Sequence, residues 1–349
     1  MNMKKILLIC NNYDSTRDGL GKYTKIMKEE LQKFSDVEEV FVETGYTDDS
    51  NKIKMLFSIE MSKAIHRAIK KIKQININYI IVEYPFQEYN PLIILQYKLL
   101  ASVCKRYKVI LAISIHEYVR AKKLRKLVID FMVRNSDITF VTDKITKKAL
   151  NKKAKTIFYR DMIGTVFPNK EISPSEKDGS FIYFGLVNRS KAFNEMLKAW
   201  DEFNKENKYH LKIITSSDIS DYNLEKLNNI KVFYNLSEEK VAEHFSSSTY
   251  AIVPIIPEIT TANGTFKVAA LFGCICIGHF SKTLSNLDFI IDIDNYDLVA
   301  FKNGLIKAVN LSSENKIALI KSATSFGNKY SKSNTAKQVI EVFRKKAVF

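Results

Sequence analysis

The stretch Pro254–Gly278, PIIPEITTANGTFKVAALFGCICIG, decides how this chain is read. It begins at the end of an apolar strand and passes through a small polar loop, Thr260-Thr261-Ala262-Asn263-Gly264-Thr265. Phe266 to Phe272 follows, apolar and compatible with a helix. Gly273 ends that helix, because glycine takes the left-handed conformation at little cost. Cys274-Ile275-Cys276-Ile277 then reads as a buried parallel strand. A Gly-Thr step that opens a helix after a strand gathers unbonded amides, a hydroxyl and the positive helix end in one corner. Such a corner accepts an anion; the same step also serves as a plain helix cap.

On either side of this stretch the chain alternates strand and helix. Strands are expected at 4–10, 37–43, 79–83, 108–115 and 137–142, with amphipathic helices between them. One such helix opens at Gly19-Leu20-Gly21-Lys22-Tyr23, and another is marked by Leu124, Leu127 and Phe131. A turn-rich segment lies between Thr156 and Lys177, with Phe167-Pro168-Asn169 and Ser173-Pro174-Ser175 in it. The alternation then restarts, with strands expected at 180–184, 210–215, 231–234, 249–254 and 289–293. Two helices are expected to close the chain, the last with Ala336, Val339, Ile340 and Phe343 on one face. The fold class is therefore α/β, two Rossmann-like domains facing each other across a cleft. The expected division is 1–165, 166–330 and a C-terminal helix at 331–349 that packs back on the first domain.

A chain of 349 residues is long for one core and comfortable for two domains. No apolar run approaches the ~18 residues of a membrane span. Lys5–Cys10 reads as a first strand rather than a signal peptide. The four cysteines, Cys10, Cys104, Cys274 and Cys276, sit in apolar segments without metal-like spacing and read as buried thiols of a cytoplasmic protein. His66, His210, His244 and His279 show no paired spacing, so no metal is expected. The net charge of +16 suits an anionic partner: a phosphorylated ligand, an anionic membrane face or nucleic acid. The basic runs, Arg120–Lys126 and Lys144–Lys155, lack the interleaved aromatics of a single-strand platform, which disfavours nucleic acid.

Five places together resemble the GT-B glycosyltransferases of the large retaining bacterial group. Gly19-Leu20-Gly21-Lys22-Tyr23-Thr24 is similar to the family's first-strand loop, and Ile115-His116-Glu117 to its strand end with a histidine. Phe167-Pro168-Asn169 resembles its PNG-type turn. Tyr183 to Ala192, YFGLVNRSKA, is similar to its phosphate loop, with Lys191 matching the family lysine. Ala262–Gly278 is similar to its nucleotide segment. The chain departs from the family at the second glutamate of Glu-x7-Glu, which would fall at Val268; the first would fall near Glu258 or Thr260. The phosphate-loop arginine is replaced by Leu186, with Arg189 three residues later.

The resemblance implies transfer of a sugar from a nucleotide-diphosphate sugar, UDP-linked, to an acceptor hydroxyl, with retention and without a metal or other cofactor. It assigns catalysis to His116, Arg189 and Lys191. It assigns donor binding to Gly21, Asn188, Glu258, Asn263, Gly264, Thr265 and, for the base, Tyr234. Arg189 and Lys191 would neutralise the departing diphosphate. His116 would contact a sugar hydroxyl or the developing charge, or else be a capped core histidine. Asp14 or Asp18 would be the base if the enzyme inverts. The acceptor would be a lipid-linked or other glycan in surface polysaccharide or capsule assembly, and the basic runs would rest on the inner membrane leaflet or simply face solvent. A protein O-glycosyltransferase, a non-catalytic subunit of such an enzyme and a nucleic-acid-binding protein are the competing readings.

Overall fold

The computed structural model describes residues 4–11, 13, 19–45, 59–84, 92–116, 118–119, 121–159, 167, 170–261 and 263–347. The chain forms two compact units, Met1–Met162 with Lys332–Phe349, and Ile163–Ser331.

The first unit runs β1 (Lys4–Cys10), α1 (Gly19–Leu31), β2 (Val37–Thr44), α2 (Glu60–Gln74), β3 (Tyr79–Tyr84), α3 (Leu92–Tyr107), β4 (Ile110–Ile115), α4 (Lys123–Arg134), β5 (Ile138–Val141), α5 (Lys144–Leu150) and β6 (Ile157–Tyr159). Its six strands are all parallel, in the order β2-β1-β3-β4-β5-β6. Every residue of β3 is buried, as a central strand covered on both faces requires.

The second unit runs β7 (Phe181–Phe184), α6 (Phe193–Asn204), β8 (Leu211–Thr215), β9 (Ile230–Tyr234), α7 (Glu238–Ser247), β10 (Tyr250–Ile252), α8 (Gly264–Leu271), β11 (Ile275–Gly278), β12 (Ile290–Asp292), α9 (Leu298–Val309) and α10 (Ser313–Lys329). Its sheet is also wholly parallel, ordered β12-β11-β10-β7-β8-β9. Strand order reverses between β7 and β10. That is the switch point at which open α/β sheets hold ligands, outside the carboxyl ends of the strands. A last helix, α11 (Lys332–Ala347), belongs to the first unit. Phe343 stacks on Tyr79 with ring centroids 4.2 Å apart, and Arg344 makes a two-pronged bond to Asp36 at 2.8 and 2.9 Å. Ala336, Val339, Ile340 and Phe343 are buried, the face their spacing predicts.

The structure departs from the sequence reading in four places. Strand β6 lies in the segment expected to be turns. Three helices close the chain rather than two, because Asp297 caps α9 and Ser312 caps α10 separately. Lys108 is not the first strand residue; it takes φ +57 as the turn that ends α3, and β4 begins at Ile110. Helix α4 buries Ile129, Met132 and Val133, and leaves Leu124 and Leu127 67% and 66% exposed.

Candidate functional site

In the second unit the carboxyl ends of β7 and β10 carry the two loops singled out above, Gly185–Ala192 and Pro254–Asn263. Gly185 adopts φ +135, a conformation that side chains rarely tolerate. A Cβ there would stand 3.7 Å from Thr265 Oγ1, so the first turn of α8 lies against the Gly185 loop. The loops are also stitched together by backbone. Lys191 forms an antiparallel bridge with Ile255, the Ala192 amide donates to the Pro254 carbonyl at 2.9 Å, and the Ile256 amide donates to the Ser190 carbonyl at 2.9 Å. Tyr296 supports this seam from below. Its hydroxyl donates to the Ile255 carbonyl at 2.7 Å and accepts from the His279 amide at 3.2 Å.

Lys191 is half-buried, and burial lowers its pKa below the ordinary lysine value. Among the described residues no carboxylate pairs with it. A cation withdrawn from water without a counter-charge favours an incoming anion. Helix α8 offers the complementary feature, since its N-cap residue Asn263 makes no side-chain cap bond. The Asn263 side-chain Oδ1 accepts instead from the Thr260 amide at 2.6 Å and the Thr260 hydroxyl at 3.2 Å. The side chain expected to bind the donor therefore shapes the loop and leaves the helix start uncapped. Asn188 behaves alike: its side-chain Oδ1 accepts from the Ser190 amide and hydroxyl at 2.9 and 2.6 Å, closing the turn that carries Lys191.

Arg189 and Glu258 are exposed. Tyr234 is half-exposed on β9, the sheet edge two strands from β7. Val268, at the position of the family's second glutamate, lies on α8 and is buried in the core with Phe266 and Leu271, where a carboxylate would lose its hydration. Ser217, whose hydroxyl accepts from the Val187 amide at 2.9 Å, and Tyr296 support the site without having been singled out by sequence.

The first unit carries a second polar centre at the carboxyl ends of β3 and β4. His116 follows β4, and its Nε2 lies 2.8 Å from Glu83 Oε2 and 3.2 Å from Ser114 Oγ. Their side chains are 6% and 1% exposed for His116 and Glu83. Glu83 and Ser114 are register partners on adjacent strands, so both aim at the ring from the same face. The Tyr23 ring on α1 meets His116 edge-on at 5.1 Å, and Gly21 lies buried in the first turn of that helix. The buried His116 Nδ1 has no hydrogen-bond partner among the described residues. Glu83 was not singled out from the sequence, where it is the one carboxylate in an otherwise apolar strand, YIIVEY. Asp14, Asp18, Glu117, Arg120, Pro168, Asn169 and Ala262 lie outside the described residues. Among the described residues no group of three or more His, Cys, Asp or Glu side chains could hold a metal ion.

No protein-family model matches the sequence, and no curated protein matches it. Solved structures do. The chain is similar to an alpha-glucosyltransferase in complex with UDP and a 13-mer DNA, with a TM-score of 0.65 at 12% identity, covering 99% of this chain and 100% of the other. It is similar to a glycosyltransferase from Rickettsia africae, with a TM-score of 0.64 at 13% identity and 99% of each chain covered. An alpha,alpha-trehalose-phosphate synthase (UDP-forming) from Burkholderia vietnamiensis matches with a TM-score of 0.60 at 10% identity, 99% of each chain covered. The chain thus has the two-domain GT-B fold of these glycosyltransferases over its whole length.

Proposed function

We propose that this protein is a glycosyltransferase that moves a sugar from a nucleotide-diphosphate sugar to an acceptor hydroxyl. The observation that carries the reading is Lys191, a half-buried, carboxylate-free cation on a loop bound to the loop that leads into the uncapped start of α8. The Lys191 ammonium and the amides of Gly264 and Thr265 neutralise the diphosphate as it leaves. UDP is the favoured carrier, since the fold is shared with an alpha-glucosyltransferase in complex with UDP and a UDP-forming synthase. The outcome proposed is retention: the bond from the anomeric carbon to phosphate oxygen breaks, the bond to the acceptor oxygen forms on the same face, and the acceptor proton passes to the leaving phosphate. His116, its Nε2 held by Glu83, meets a sugar hydroxyl through Nδ1. A nucleotide-release assay over a panel of sugar nucleotides tests the reading, run with and without EDTA. Release that depends on one donor and ignores EDTA supports a metal-free enzyme; no release with any donor contradicts it.

The acceptor proposed is a lipid-linked or other glycan in surface polysaccharide or capsule assembly, used by a cytoplasmic protein that rests on a membrane. No described helix is long and apolar enough to cross one. Leu124, Leu127 and Ile145 project, the last 69% exposed, among Lys122, Lys123, Lys144, Lys147 and Lys148. Apolar side chains set among lysines suit an anionic lipid surface. Part of the basic surface turns inward instead: Arg125 donates to the Tyr84 hydroxyl, and Lys126 lies over the Tyr118 ring. Flotation with vesicles containing anionic lipid should carry the protein upward and neutral vesicles should not; equal behaviour ends the membrane proposal.

A further inference from the structure

The chain passes between the two units twice, from Met162 to Ile163 and from Ser331 to Lys332. Within the second unit both passages are seated on α8. Lys170, shortly after the first, sets its Nζ 5.9 Å from the ring of Phe272, the residue that ends α8. Asn328, shortly before the second, clamps Lys170 with both arms of its amide: it accepts from the Lys170 amide at 3.1 Å and donates to the Lys170 carbonyl at 2.9 Å. Helix α10 lies so close on α8 that a Cβ on Gly327 would overlap the Leu271 backbone. The first turn of α8, which opens with Gly264 and Thr265, is held too. Phe266 meets Phe326 with ring centroids 5.4 Å apart, and Lys267 Nζ stands 4.5 Å from the Tyr330 ring centroid. Lys267 is 1% exposed, so this cation–π contact is made out of water, where such contacts are strongest.

The link continues into the first unit without slack. The Tyr330 amide donates to the Gly327 carbonyl at 3.0 Å and the Ser331 amide to the Asn328 carbonyl at 3.2 Å. Ser331 is fully buried, and α11 begins at the next residue. Lys332 opens that helix, at the end where the dipole disfavours a cation. Its Nζ lies 3.5 Å from Glu30 Oε1, a buried carboxylate on α1 that also takes Lys33 at 2.7 Å. The opposite end of α1 carries Tyr23, whose ring abuts His116. An anion that bonds the open amides of an uncapped helix start fixes the order of that turn. Packed side chains and rigid helices pass such a change on rather than absorb it. We propose that donor occupancy at the start of α8 is transmitted through Lys267 and Tyr330 to α11, and through Lys332 and Glu30 to α1 and the His116 centre. The inference rests on the donor site proposed above, and Tyr330 and Lys332 are positioning residues in it.

Hydrogen exchange of the full chain, with and without saturating UDP, tests this. In the parent, UDP should slow exchange at residues 264–271, at 328–336 and at 25–31, the Glu30 end of α1. Tyr330→Leu and Lys332→Met should each keep the slowing at 264–271 and lose it at 25–31. Lys332→Met leaves Glu30 paired with Lys33, so it carries the test even where Tyr330→Leu does not fold. Tyr330→Phe keeps the ring over Lys267 and should restore the parent pattern. Slowing at 25–31 that survives both substitutions, that never occurs although 264–271 responds, or that Tyr330→Phe fails to restore would overturn the inference and leave the donor site standing. No slowing at 264–271 in the parent would contradict the donor site itself, and the inference with it.

Discussion

The two edges of the second sheet each take a lysine out of water, and they treat it in opposite ways. At the amino edge, ahead of β7, Lys177 Nζ donates to the carbonyls of Ser248, Phe272 and Phe245 at 2.7, 2.6 and 3.1 Å. At the carboxyl edge Lys191 is also shifted downward by burial, yet no described side chain answers it. The first lysine closes the C-terminal ends of helices α7 and α8, which would otherwise carry unpaired carbonyls. The second is a desolvated charge left open, held by a seam of backbone bonds to Ile255. A buried lysine alone therefore says little about function. What separates the two is whether the protein itself completes the ammonium.

The widest separation should appear when each lysine is removed. Lys191→Ala should lower turnover by ~100-fold or more, the scale of losing one preorganised charged donor to a leaving group, with little change in unfolding midpoint. Lys177→Ala should do the reverse, costing about 3 kcal/mol of stability as buried carbonyls lose their donor, with donor affinity retained in the folded fraction. Turnover assays and denaturant unfolding on both variants make the cross. Two lysines that behave alike would break the comparison.

Smaller effects sharpen it. Arg189 stands exposed at the tip of the same turn, so Arg189→Ala should cost about tenfold in kcat/KM, the value of one charge-assisted hydrogen bond. A loss as large as that of Lys191→Ala would move the centre of the site to the tip. Tyr296→Phe deletes the bond under Ile255 without touching the ligand. It should lower kcat by about fivefold, in line with ~1 kcal/mol for one hydrogen bond. An unchanged kcat would detach the seam from Lys191.

Alkaline pH gives the smallest effect. Lys191 must be protonated to hold a diphosphate, and burial lowers its pKa. Donor KM should therefore rise as pH climbs through that lowered value, sooner than a solvated lysine would titrate. Lys191→Arg keeps its charge and should flatten the rise. Equal pH profiles in the two proteins would refute the assignment.

The sequence carried the fold because its signals were long and repeated. Buried apolar runs such as KKILLIC and YIIVEY, each followed by a helical period, leave little alternative to a parallel sheet. It failed where the signal was short or local. Strand β6 has three residues, too few for a period, and Lys108 adopts a left-handed turn without the glycine that usually announces one. On α4, Leu124 and Leu127 have helical spacing with Phe131, but Ile129, Met132 and Val133 compete for the core and win. At the site, the Gly185 turn and Lys191 were legible as residue types in order. Asn188 and Asn263 turn their side-chain oxygens to nearby loop groups, bonds that no residue-type pattern announces, because a side-chain amide in a loop bonds nearby backbone as readily as a ligand. Glu83 and Tyr296 reach their partners across 33 and 41 residues, and no local pattern reports a contact at that separation.

The most direct test is thermal unfolding of the parent and Lys191→Ala with UDP. At about 100 times the dissociation constant, UDP should stabilise the parent by ~2.7 kcal/mol and leave the variant where it stood. Equal stabilisation of both proteins, or none of the parent by UDP or any other nucleoside diphosphate, would contradict a diphosphate site built on Lys191.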